Sequence, residues 1–206
     1  GGRLTASAGL KVFIDNKAPE AQFTSHVNNA FVALDTVIGG TASDVTGVGV
    51  GKVEVSTDNG VTWQSATGAN TWSFSLAGLS GLLPIRVRAT DLVGNVSAAT
   101  PARNVTVDTT APALTINAPA ATLKPTKNAA GQWQVPLSGT ATDSSGLKAA
   151  SLLVKLTQAS GVGVAQTQQA ITLGGSSWNG TYLLDPSLFD PTGAYTVTAQ
   201  VDDMAG

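Results

Sequence analysis

Short motifs return along this chain in a fixed order, and that repetition restricts the fold more than any other feature. Asp15-Asn16-Lys17-Ala18-Pro19 returns as Asp108-Thr109-Thr110-Ala111-Pro112, 93 residues later. Gly40-Thr41-Ala42-Ser43-Asp44 returns as Gly139-Thr140-Ala141-Thr142-Asp143 at an offset of 99. Thr71-Trp72-Ser73 returns as Ser177-Trp178-Asn179 at 106, and Asp91-Leu92-Val93-Gly94 as Asp203-Met204-Ala205-Gly206 at 112. Self-similarity in one order at a nearly fixed period marks a tandem array. The growing offset gives the second copy longer loops. The landmarks divide the chain into residues 1–15, the last strand of a preceding repeat; 16–108, a complete repeat; and 109–206, a repeat lacking its final strand. On this reading the natural polypeptide continues in both directions.

Within each copy the apolar period is two. Val53-Glu54-Val55-Ser56, Ile85-Arg86-Val87-Arg88 and Tyr195-Thr196-Val197-Thr198 alternate as half-buried antiparallel strands do. Leu34, Thr36 and Ile38 read as one strand face, matched by Trp133, Val135 and Leu137 in the second copy. Asp58-Asn59-Gly60 between apolar runs is a hairpin signal, because Asn and Gly tolerate positive φ. No stretch sustains a 3.6-residue period. Some seven short strands per copy point to an all-β fold of tandem Greek-key sandwiches of the Ig-like kind.

Composition removes whole classes of function. Of 206 residues, 13 are acidic and 11 basic, with no Lys/Arg cluster, so there is no electrostatic footprint for nucleic acid. No apolar run is long enough to insert into a membrane. There is no cysteine, hence neither a disulfide framework nor a thiolate metal site. His26 is the only histidine, and nothing marks one serine as an activated nucleophile. Glutamate occurs only at positions 20 and 54. No catalytic site is expected.

The landmarks also carry a family likeness. Asp108 to Pro112 as a linker, Gly40 to Asp44 as a strand end, and Ala89-Thr90-Asp91-Leu92-Val93-Gly94-Asn95 as a loop resemble the bacterial Ig-like domains of large surface adhesins and biofilm proteins. The likeness covers essentially the whole chain. Asp15-Asn16-Lys17 departs from the Asp-Thr-Thr pattern, and Val201-Asp202-Asp203 from Ala-Thr-Asp. The resemblance implies extracellular spacers at a bacterial surface or in a secreted protein, packed in series with neighbouring Ig-like repeats and projecting an adhesive region. It also implies Ca²⁺ at some junctions.

The residues give their own argument for calcium. In an Ig-type sandwich the entry linker, the loop after the second strand and the loop before the last strand share one end. Asp15, Asp44 and Asp91 occupy those three places in the first copy. Asp108, Asp143 and Asp203 occupy them in the second, with Asp202 in reserve. Ca²⁺ takes six to eight oxygens, and extracellular sites bind at roughly 10⁻⁴–10⁻³ M. The competing reading is that each Asp only caps its own turn.

Other signals read as structural. Ser56 to Trp63 fits the Asp-box Ser-x-Asp-x-Gly-x-Thr-Trp, a hairpin device. Trp72, Trp133 and Trp178 read as core, leaving Trp63 as the tryptophan to watch for a cell-surface or glycan ligand. The sequons at Asn95, Asn104 and Asn179 are expected by chance in a Thr/Ser-rich chain. A carbohydrate- or protein-binding module, or an accessory domain of a large secreted hydrolase, stands as the alternative to the spacer.

Overall fold

Alternation of apolar and polar residues becomes alternation of burial in the computed structural model, which describes residues 14–117, 125–158, 168–185 and 193–205. The expected strand of residues 1–15 lies, up to residue 13, outside the described residues. The chain divides into two compact units, Gly1–Ala30 with Leu34–Val107 and Phe31–Ala33 with Asp108–Gly206. Every regular element described is a strand, and among the described residues no helix is long and apolar enough to cross a membrane.

The strands of the first half are β1 (Glu20–Phe23), β2 (Ala30–Ala33), β3 (Val37–Ser43), β4 (Val50–Ser56), β5 (Gln64–Ser65), β6 (Thr67–Gly68), β7 (Thr71–Ser75), β8 (Gly81–Asp91) and β9 (Arg103–Asp108). One sheet runs β1-β3-β7-β6, and the facing sheet contains β9-β8-β4-β5 in that order. The chain leaves the first sheet after β3, returns for β6 and β7 and leaves again for β8, which is a Greek-key path between the layers of a sandwich. Val53 and Val55 of β4 and Ile85, Val87 and Ala89 of β8 are buried between the layers, while Arg86 and Arg88 alternate outward. Leu34 does not join this pattern. It sits in a turn with Asp35 at φ 66°, 52% exposed, and the strand face begins at Val37, so that Ile38 is the buried member at 2%.

The second half repeats the plan with β10 (Ala113–Ile116), β11 (Thr126–Lys127), β12 (Trp133–Thr142), β13 (Leu153–Gln158), β14 (Gln169–Ala170), β15 (Leu173–Gly174), β16 (Ser177–Leu183) and β17 (Tyr195–Gln200). The sheet β10-β12-β16-β15 reproduces β1-β3-β7-β6, and β14-β13-β17 forms the other layer. Val135, Leu137, Val154, Leu156, Trp178 and Tyr182 form its core. Trp133 is half-buried with the Lys127 ammonium 4.8 Å from its ring centre.

Two local devices fix loops of the first sandwich. In the Asp-box hairpin after β4, Asn59 and Gly60 adopt φ of 62° and 96°. The Asp58 carboxylate accepts from the Thr62 amide and hydroxyl and from the Ser56 hydroxyl, which itself accepts from the Gly60 amide. Trp63 lies under Arg88, 4.3 Å from its ring centre, and Arg88 in turn bonds Glu54. Between β8 and β9 the chain runs beside β8 without forming a ladder. There the Ser97 hydroxyl accepts from the Ala89 amide at 2.9 Å and the Thr100 hydroxyl from the Val87 amide at 3.0 Å.

Candidate metal centre

Asp15, Asp44 and Asp91 meet at one end of the first sandwich. One carboxylate oxygen from each lies within 4.8 Å of the others, and the same holds for Asp108, Asp143 and Asp203 in the second unit. Asp202 stands outside its trio. Each trio joins a linker, the loop after β3 or β12, and the end of β8 or the segment after β17.

Local hydrogen bonding explains how three anions are held so close in the first unit. Asp91, buried at the end of β8, accepts at one oxygen from the amides of Val93, Gly94 and Asn95 at 2.9, 2.6 and 2.8 Å. Gly94 at φ 102° lets the loop curl around the carboxylate. The Asn95 side-chain amide donates to the other Asp91 oxygen at 2.7 Å and to the Asp15 carbonyl at 3.1 Å, tying the linker to the loop. Asp15 also accepts from the Val48 amide at 2.8 Å and the Lys17 amide at 3.0 Å, and Asp44 from the Gly49 amide at 2.9 Å. Burial pushes the Asp91 carboxyl up, but the Asn95 side chain and the three amides outweigh it and hold the group below its ordinary value. Asp91 is thereby held in its ionised form.

The second trio uses different donors. Asp108 accepts from the Thr110 hydroxyl at 2.7 Å and amide at 2.9 Å, which hold its carboxyl low against burial. Asp143 accepts from the Ser145 amide and hydroxyl, both at 2.7 Å, and Asp203 from the Ala205 amide at 2.8 Å. The second Asp108 oxygen is buried with no hydrogen-bond partner.

These arrangements fit a hard divalent cation. Oxygens around one Ca²⁺ at 2.3–2.6 Å lie at most about 5 Å apart, and each trio meets that limit. Without a cation, carboxylates this close repel one another. The ion pairs of Glu54 with Lys52 and Arg88 leave Asp15, Asp44 and Asp91 aside. Gly47 completes the first site. A Cβ there would meet carboxylate oxygens of both Asp44 and Asp15. Asn95 and Gly47 have roles that the sequence alone did not assign, although Asn95 closes one of its quoted motifs.

His26 lies elsewhere, in the loop after β1 at φ 51°, with its carbonyl accepting from Arg103 at 2.6 Å. Trp72 and Trp178 are both buried in the cores, as read from the sequence.

No protein-family model matches the chain, and no curated protein matches it. Among solved structures, it is similar to fibronectin(III)-like modules of CbhA from Clostridium thermocellum, at 20% identity over 90% of this chain and 88% of that one, with a TM-score of 0.45. It is also similar to a structure of carbohydrate-binding modules of the β-sandwich superfamily, at 15% identity over 93% and 94% of the two chains and a TM-score of 0.34. A third likeness is to the chitinase ChiA74 from Bacillus thuringiensis, at 17% identity, covering 92% of this chain but 28% of that one, with a TM-score of 0.30.

Proposed function

We propose that the chain is a pair of spacer repeats from an extracellular adhesin-like array, in which each aspartate trio holds Ca²⁺ and thereby fixes the linker that enters its sandwich. The convergence of three carboxylates in each unit, from equivalent repeat positions, carries this reading. A cation held by Asp15, Asp44 and Asp91 joins the linker to two loops of the first sandwich. In the second, Asp108 both closes β9 and heads the linker, so fixing it removes free length from the connection. The ion's contribution is charge neutralisation and cross-linking; the backbone amides around Asp91 and Asp44 set the carboxylates in place beforehand. Weak sites of about 10⁻⁴–10⁻³ M suit the calcium-rich exterior of a cell.

Glycan binding, the alternative reading, finds less support. Trp72 and Trp178 are buried, and Trp63 and Trp133 each have a ring face taken by a cation. The deciding experiment is thermal unfolding with added CaCl₂ and with chelator, paired with small-angle scattering. Calcium is expected to raise the melting temperature and narrow the distribution of end-to-end lengths. Identical melts and scattering under both treatments would remove the reading.

A further inference from the structure

We propose that Asn59 is a modification site, open to spontaneous deamidation, which the folded Asp-box hairpin masks and local opening unmasks. Asparagine is followed by glycine at Asn59-Gly60 and at Asn179-Gly180. A glycine has no Cβ to shield its main-chain nitrogen, so these are the bonds most open to attack by the backbone on the asparagine side chain.

The reaction needs only water and base. The Gly60 nitrogen gives its proton to solvent base and bonds to Asn59 Cγ. The side-chain nitrogen takes up a proton and leaves as ammonia, closing a five-membered imide. Water then adds to either imide carbonyl and leaves aspartate or isoaspartate at position 59.

The hairpin keeps the two reacting groups apart. Positive φ at both Asn59 and Gly60, 62° and 96°, marks a type I′ turn, with the Val61 amide 3.5 Å from the Asp58 carbonyl. In such a turn ψ of the first central residue is about +30°. There the following nitrogen points away from the side chain, whereas the imide ring needs it alongside the Cα–Cβ bond. Hydrogen bonds then fix each group in place. The Gly60 amide donates to Ser56 Oγ at 2.7 Å, and Arg86 Nε donates to Asn59 Oδ1 at 2.8 Å. The Asn59 amide donates to the Pro84 carbonyl at 3.0 Å, anchoring the turn to β8. Asn59 itself is exposed, so solvent base is at hand whenever these bonds break.

Asn179-Gly180 is held differently. It lies inside β16, where Asn179 pairs with Ser138 and Gly180 with Leu137 along the ladder to β12. Releasing it requires part of a sheet to part, while releasing Asn59 requires one turn to open. The two products at position 59 also differ. Aspartate keeps the turn and sets a carboxylate beside Arg86. Isoaspartate lengthens the main chain by one carbon and cannot re-form the turn, so a passing opening becomes permanent.

Peptide mass spectrometry after incubation in mild alkali reads both products at each position. In the folded parent, conversion at position 59 is expected to be at least about tenfold slower than in the same chain unfolded in urea, the factor that one hydrogen bond to a charged group holds back. Ser56→Ala and Arg86→Gln variants with the parent's melting profile should regain about that factor at position 59 and leave position 179 unchanged. Equal rates in the folded and unfolded chain, parental rates in both variants, or a rise at 179 matching that at 59 would each overturn the inference.

Discussion

The indole of Trp72 occupies the space into which a Cβ on Gly40 would project. The two residues are direct cross-strand partners on β7 and β3, and Trp72 Cζ2 lies 2.5 Å from the point where that Cβ would stand. Gly139 and Trp178 repeat the arrangement, with Trp178 Cε2 at 2.6 Å. The glycine of the recurring Gly-Thr-Ala motif is thus a seat for the recurring tryptophan. Both indole N–H groups are buried without partners, a cost the two units share.

Gly40→Ala should therefore destabilise the first sandwich. The new methyl would also strike the Gln22 carbonyl on β1, a backbone atom that cannot turn aside. Overpacking of this kind costs about 1–3 kcal/mol, and the rigid obstacle places this case near 3. A urea midpoint equal to that of the unaltered protein would contradict the packing argument.

Gly47→Ala should weaken the first calcium site. Its Cβ would fill the space between Asp44 and Asp15 while leaving the six carboxylates in the chain. At ten times its dissociation constant a ligand stabilises by about 1.4 kcal/mol. Calorimetry should show that gain lost from the first unit and kept in the second, with Asp143→Asn giving the reverse. A full calcium response from both units in Gly47→Ala would mean the ion does not sit between these carboxylates.

Asn95→Ala should loosen the first linker even without metal. One side chain holds the Asp91 carboxylate and the Asp15 carbonyl together, and hydrogen bonds to charged groups contribute about 1.5–3 kcal/mol. Chemical denaturation in chelator should show a loss of about 2 kcal/mol, and calcium titration a weakened first site. An unchanged denaturation curve in chelator would place the tie elsewhere.

Acid should weaken the Asp-box hairpin. The Thr62 hydroxyl and amide, with the Ser56 hydroxyl, lower the Asp58 carboxyl from 3.8 to about 2. Because the folded value lies below the unfolded one, this contribution is complete above about pH 4 and drains away as pH falls towards 2. Melting temperatures recorded across that interval should fall less steeply for Asp58→Asn than for the parent. Parallel curves would show that Asp58 carries no such linkage.

The convergence of both trios was legible because linker, loop and strand-end aspartates recur together, and an Ig-type topology brings those places to one end. Period-two alternation likewise read β4 and β8 correctly. Leu34 escapes the pattern for a physical reason. Leu34, Thr36 and Ile38 alternate as a strand would, but Asp35 takes a left-handed φ that breaks the extended path. Asn95 and Gly47 stayed hidden because their roles depend on the loop's path in space, which no local pattern encodes. The cations over Trp63 and Trp133 were hidden likewise, since each comes from a neighbouring strand.

The hydroxyls of Ser97 and Thr100 carry a consequence beyond their own loop. By accepting from the Ala89 and Val87 amides, they occupy main-chain donors along part of the β8 border that a foreign peptide would otherwise recruit. The Ser97 and Thr100 amides donate in turn to the Ala89 and Val87 carbonyls, so donors and acceptors on that border are taken together. That part of the β8 border is thereby closed to an added strand without a ladder being laid along it.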